Sequence, residues 1–290
     1  PSPVELHNQT VAPDRLLAES AWDLWQAYPT GAPLTSRLLA EWCSPTPSPT
    51  GKTVLILDAL SMRELPLILS SAQERGVEAT DVRATGSEVP SETGTFAKAL
   101  GVSQRSSLAN GSAPSGFTLF GGSAYTDVLS YPFEDCVGTV PNEPNVVLWH
   151  SWLDDQIHLH KRTPDQIATA VTGVFQGDGF WKLVDKLRQG RKLLITSDHG
   201  YAVSKLFSAE ERDEDTVAAL RDTFGASRDV TDSKPWDHCF MPPVVMTYGG
   251  YRAVMGQCKW KVKGGFPQVC HGGLSLLEVA VPFIEFPPLG

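Results

Sequence analysis

Three short apolar runs along the chain end abruptly in polar side chains. Thr53-Val54-Leu55-Ile56-Leu57 stops at Asp58, Val146-Val147-Leu148-Trp149 stops at His150, and Leu193-Leu194-Ile195 leads into Thr196-Ser197-Asp198-His199-Gly200. Runs this short and this continuously apolar predict strands buried on both faces, the pattern of a parallel sheet covered by helices. The segments between them have helical periodicity. Residues 61–76 place Leu65, Ile68, Leu69 and Ala72 on one face and stop at Gly76, and residues 163–176 and 179–189 predict two further helices. Residues 77–84 alternate and predict a strand, so the region opens β-α-β, which favours parallel pairing. A last strand is expected over 281–286.

The flanking and intervening stretches read differently. Leu16, Leu17, Ala21, Leu24 and Trp25, then Leu38, Leu39 and Trp42, recur at helical spacing, so one or two helices are expected before residue 43. The Pro-rich stretch 44–51 predicts a linker, giving an N-terminal helical segment over 1–50 and a main domain over 51–290. Residues 101–138 are rich in Gly and Ser without a clear period and predict loops or a small inserted cap, and a second insertion is expected at 205–265. Within the latter, 208–223 predicts a charged helix, and 241–246 and 251–255 short strands. Lys259-Trp260-Lys261-Val262-Lys263 alternates, which suits either an edge strand guarded by charge or a local phosphate-backbone patch.

Composition narrows the class. The 290 residues are 41% hydrophobic and 20% charged, as in an ordinary globular chain. The formal net charge of -9 excludes nucleic-acid binding by bulk charge, so any such contact must be local. No run of about 18 apolar residues suggests a membrane span, and residues 1–10 lack the basic and apolar parts of a signal peptide. The sequence does not begin with Met, which leaves room for a longer parent protein. Five widely spaced cysteines without a Cys-x-x-Cys pair argue against a disulfide framework and for a reducing, cytoplasmic location.

The candidate chemistry sits where the strands are expected to end. Asp58, Asp198 and His199 follow strands directly. Asp154 and His158 are four apart and share a face if their segment is helical; an ordinary polar helix start is the alternative. His271 precedes two glycines, and Thr93 stands before a helical pattern, as a cap or as a hydroxyl aimed at phosphate. Carboxylates, imidazoles and one hydroxyl together suit two divalent first-row ions around a phosphoester, zinc first and manganese second. Coordination is what makes a neutral Thr hydroxyl a competent nucleophile.

The order Asp58, Pro90-Ser91-Glu92-Thr93, Leu153-Asp154-x-x-x-His158, Ser197-Asp198-His199-Gly200-Tyr201 and His271-Gly272-Gly273-Leu274-Ser275-x-x-Glu278 resembles the alkaline phosphatase superfamily. Within it the chain is most similar to the PglZ domain found in bacterial phage-defence systems and some response regulators, over roughly residues 52–286. The resemblance implies a three-layer α/β/α sandwich around a mostly parallel sheet, with small cap insertions. It implies that Thr93 is the nucleophile and a ligand of one ion with Asp58, Asp198 and His199, and that Asp154, His158 and His271 hold the second; for Arg63, a phosphate contact and a place on the helix surface are equally good readings. Departures from the pattern are Ala59 where Gly is usual after the first Asp, Ile157 where a Gly often stands, and Asp155 as a rival to Asp154. The implied function is a metal-dependent phosphodiesterase or nuclease in phage defence or signalling, taking nucleic acid or a nucleotide, with protein partners in a defence complex and no membrane. The competing expectations are a phosphomonoesterase or phosphotransferase, a non-catalytic metal-stabilised scaffold, and a structural domain without metal.

Overall fold

The fold is known from a computed structural model, which describes residues 3–44, 50–158, 162–203, 213–233, 235–256, 260–263 and 269–289. Most of the expected linker and part of the expected 205–265 insertion, Lys259 included, lie outside the described residues.

Three helices, α1 (Pro3–Glu19), α2 (Asp23–Gly31) and α3 (Thr35–Cys43), precede β1 (Gly51–Leu57). There follow α4 (Leu65–Glu74), β2 (Asp81–Gly86), α5 (Thr93–Ala99), β3 (Tyr125–Leu129), α6 (Phe133–Cys136), β4 (Asn145–His150) and α7 (Trp152–His158). Next come α8 (Pro164–Gln176), α9 (Asp178–Arg188), β5 (Arg191–Thr196), β6 (Ala202–Val203), α10 (Glu214–Phe224), β7 (Asp229–Thr231), β8 (Val245–Tyr248) and β9 (Tyr251–Val254). The chain closes with β10 (Val269–Cys270), α11 (Leu276–Val279) and β11 (Ala280–Phe286).

Six strands form one sheet in the order β2-β11-β5-β1-β4-β3, parallel except for β11, which runs against both neighbours. Alternation along β1 divides the core. Leu55 and Leu57 face a layer that includes Ile68 of α4, Val171 of α8 and Leu183 of α9, and Val54 and Ile56 face Leu39 and Cys43 of α3 and Phe96 of α5. This is the expected three-layer α/β/α sandwich. Because α3 lies on one sheet face, the residues before the linker share the sheet's core, and Trp42 Nε1 reaches Glu285 Oε2 of β11 at 2.6 Å.

Several sequence expectations shift. Three helices, rather than one or two, precede β1. The segment 101–138 contributes β3, an edge strand that its Gly- and Ser-rich surroundings conceal. Residues 260–263 form no run of strand; Trp260 is buried beside Leu220 and Phe224 and bonds Gly225 O at 2.6 Å. The second insertion carries α10 and the antiparallel sheet β7-β9-β8. No described helix is long and apolar enough to cross a membrane.

Strand direction decides what meets at one edge of the sheet. Parallel β1, β4 and β5 all end there, and the pairing of Ile56 with Thr196 sets Asp58 level with Asp198. The reversed strand β11 begins at that edge, so the 271–275 loop and α11 before it lie there too. β2 runs with β5 and also ends there at Gly86, delivering residues 87–93.

Candidate active site

Asp58, Asp198 and His199 are fully buried at that edge, a placement carboxylates avoid unless paired or coordinating. Thr93, the first residue of α5, points its Oγ1 between them. It lies 2.9 Å from Asp198 Oδ2, 3.3 Å from Asp58 Oδ1 and 3.3 Å from His199 Nε2. His199 Nδ1 sits 2.9 Å from Gly200 O, so Nδ1–H donates there and Nε2 carries the lone pair facing the carboxylates. Nε2 is 3.4 Å from Asp198 Oδ2 and 3.7 Å from Asp58 Oδ1. The backbone holds these groups firmly: Ala59 N–H donates to Asp198 Oδ1 at 3.1 Å and Leu60 N–H to Ser197 Oγ at 2.9 Å. Ala59 has φ 63, the left-handed region, which explains why Gly is the usual residue there.

A second group adjoins the first. Asp154 Oδ1 is 3.2 Å from His158 Nε2 and 3.7 Å from His271 Nε2, and the two imidazole Nε2 atoms approach to 2.6 Å. The α7 turn carries Asp154 and His158 on one face, as their spacing of four predicts. Asp155, the rival, accepts from Ser151 Oγ at 2.7 Å instead. His199 belongs to both groups; its ring stacks on His271 with centroids 4.3 Å apart.

The electrostatics are those of carboxylates and imidazoles crowded together away from water. Burial, then the neighbouring Asp198 and Asp154 charges, push the Asp58 carboxyl well above the usual carboxylate range. Burial opposes a charged His271, but Glu92, Asp154 and Asp58 outweigh it and raise the imidazole above its ordinary value. Asp154 Oδ1 is buried and no hydrogen-bond donor is aligned on it. Crowded carboxylate oxygens, an orphaned buried oxygen and imidazoles presenting Nε2 fit divalent cations.

The structure brings all seven expected ligands together and turns Arg63 elsewhere. Its buried guanidinium donates to Tyr201 O and stacks on the Tyr201 ring, with Tyr201 Oη donating to Glu64 Oε1 at 2.7 Å. In place of a phosphate contact, Arg63 fastens the loop after His199. The guanidinium beside Asp58 comes from Arg105, in the 3₁₀ turn Arg105–Leu108; it pairs with Asp58 Oδ2, to which Trp149 Nε1 also donates at 3.2 Å. Arg105 lies in a Gly- and Ser-rich stretch with no periodic signal, so nothing local singles it out. Glu92, 2.9 Å from His271 Nδ1, escaped for a different reason: beside Thr93 it reads as a helix-start acid.

Structural similarity supports the fold assignment. Over 82% of this chain and 88% of the other, the fold superimposes on an inactive variant of murine ectonucleotide pyrophosphatase/phosphodiesterase 5 in complex with AMP, with 14% identity and a TM-score of 0.52. Phosphonoacetate hydrolase from Sinorhizobium meliloti 1021, in complex with phosphonoformate, matches at 14% identity over 83% of this chain and 91% of that one, with a TM-score of 0.46. No functionally curated protein matches the sequence. The profile of the BREX system PglZ alkaline phosphatase-like domain matches residues 104–286, well over half of the sequence, and the chain belongs to that family.

Proposed function

We propose that the chain is a metal-dependent phosphodiesterase in which Thr93 Oγ1 is the nucleophile. The observation that carries this reading is the convergence of a threonine hydroxyl on Asp58, Asp198 and His199, with Asp154, His158 and His271 alongside. Asp58, Asp198, His199 and Thr93 would hold one ion and Asp154, His158 and His271 a second, zinc or manganese by donor type. Such ions supply Lewis-acid stabilisation of phosphoryl oxygens and a lowered hydroxyl pKa. The chain's own part is orientation and charge. Thr93 Oγ1–H is held toward Asp198 Oδ2, leaving a lone pair for phosphorus. As Oγ1 bonds to phosphorus its proton passes to Asp198, the ester bond to one alcohol breaks and that alcohol leaves with a proton, and water then releases from Thr93 a phosphate monoester that keeps the other alcohol. Arg105 supplies the fixed positive charge for a non-bridging oxygen.

The preference for diesters rests on family membership and on the fold shared with a nucleotide phosphodiesterase. The setting in this reading is bacterial phage defence, with nucleic acid or a nucleotide as substrate, as the motif resemblance implies. A phosphomonoesterase is the second reading, because Arg105 also suits a doubly charged phosphoryl group.

The test is turnover of a mono- and a diester with the same leaving group, in the presence of zinc or manganese. The wild-type chain is expected to favour the diester, and Thr93→Ala to lose roughly a thousandfold in kcat while keeping its circular dichroism. Undiminished diesterase activity in Thr93→Ala would overturn the nucleophile assignment, and a monoester preference would install the second reading.

A further inference from the structure

The residue before Thr93 faces the other half of the site. The side chain of Glu92 makes no capping hydrogen bond to α5, although it occupies the N-cap position. It turns to His271 instead, with Oε1 2.9 Å from Nδ1. The opposite nitrogen of that ring, Nε2, faces His158 and Asp154. The carboxylate thus stands at ion-pair distance from Nδ1, without an aligned hydrogen bond, and the ring presents Nε2 to the ligand cluster; an outer carboxylate in this place, once aligned, fixes the tautomer and aim of a metal-binding histidine.

The surroundings are shaped around this contact. Ser91 Oγ donates to Gly273 O at 2.8 Å and accepts from Gly272 N–H at 3.0 Å, while Gly272 N–H also reaches Ser91 O at 3.1 Å. These bonds clamp the segment 91–93 to the loop 271–273. Gly272 has φ +97, and a Cβ there would lie 2.7 Å from Glu92 Oε1 and 2.8 Å from Asp229 Oδ1. Only glycine leaves room for the carboxylate to reach the ring.

We infer that Glu92 is a positioning residue that orients His271, so that adjacent residues of one short segment serve the two halves of the site, Thr93 the Asp58–Asp198–His199 group and Glu92 the Asp154–His158–His271 group. This rests on the metal-centre reading above. Glu92 acts through His271, so its removal weakens one ion site and spares the other.

The experiment measures zinc affinity by chelator competition on the full chain for wild type, Glu92→Ala, Glu92→Gln, His271→Ala and the double variant Glu92→Ala/His271→Ala, each checked for fold by circular dichroism. Wild type is expected to take up two equivalents. Glu92→Ala should lose roughly 10–100-fold in affinity for one equivalent only, the one His271→Ala also weakens. The double variant should be no worse than His271→Ala alone. Glu92→Gln keeps the shape and an acceptor oxygen and should recover part of the loss. Two wild-type affinities in both Glu92 variants, or equal weakening of both equivalents in both, would overturn the inference while leaving the metal centre standing. A wild-type chain that takes up no zinc would overturn the metal centre and this inference together.

Discussion

Two arginines show how much a single side chain's surroundings decide. Arg63 and Arg105 are both close in sequence to site residues, but one stacks on Tyr201 and the other pairs with Asp58. Their replacement should therefore separate. On the proposed reading Arg105→Ala removes the guanidinium that would meet the substrate phosphate and is expected to cost roughly 10–100-fold in kcat/KM, with little change in thermal midpoint. Arg63→Ala leaves Tyr201 O without its buried donor and the Tyr201 ring without the guanidinium stacked on it, and is expected to lower stability by about 1–3 kcal/mol, with KM held in the molecules that remain folded. Steady-state kinetics and urea unfolding of both variants check the split, and the reverse pattern would restore Arg63 to the phosphate. Legibility at this scale was uneven. Asp58, Asp198, His199 and His271 could be read because polar residues ending apolar runs carry a signal. Arg105 carries none, since its meaning depends on where the 3₁₀ turn after α5 lands.

Among the elements, one of the ties between the second insertion and the main domain is a buried ion pair. Arg228, just before β7, donates from Nε to Glu278 Oε1 at 2.7 Å and from Nη2 to Oε2 at 2.9 Å. Glu278 of α11 also accepts from Gly273 N at 3.0 Å and Ser275 Oγ at 2.6 Å, which folds the loop carrying His271. A buried bidentate pair of this kind is costly to break from one side. Arg228→Ala is expected to destabilise by about 3–5 kcal/mol, because Glu278 keeps its charge without its cation. Urea unfolding measures this, and a loss below about 1 kcal/mol would mean the pair is dispensable. Helix and strand placement were largely legible: β4 and α8 fall where the apolar run and the helical periodicity predict them. β3 was not, because a short edge strand needs only one apolar face and resembles its loop neighbours.

For the molecule as a whole, stability should depend on acid through His150 at the end of β4. Its Nδ1 accepts from Trp152 N–H at 3.1 Å and its Nε2–H faces Tyr131 O at 2.9 Å, an arrangement suited to the neutral ring. Burial lowers its pKa from 6.5 to about 4. The folded chain thus binds fewer protons here than the unfolded chain. The stability His150 contributes is complete above pH 6.5 and drains away as pH falls toward 4, by about 3 kcal/mol in total. Urea unfolding of wild type and His150→Gln at pH 7.5 and 5 tests this; equal pH dependence in the two would refute it. The buried carboxylates make the complementary prediction. Zinc at about a hundred times its Kd should raise the thermal midpoint by roughly 5–10 °C, a gain chelation reverses and Asp198→Ala lacks. An unshifted wild-type midpoint would count against the metal centre.

Residue patterns alone carry the parallel sheet covered by helices, the strands that end in chemistry and the residue types available there. Local periodicity and apolar runs encode burial, and burial fixes strands and helices one segment at a time. Only the tertiary structure decided which of these groups meet. The register of Ile56 against Thr196 sets Asp58 level with Asp198, and the reversal of β11 brings the His271 loop to the same edge. The packing of the 3₁₀ turn after α5 sets Arg105, and not Arg63, beside Asp58. Those are relations between segments far apart along the chain, set by strand direction and close packing, and no local pattern of residues contains them.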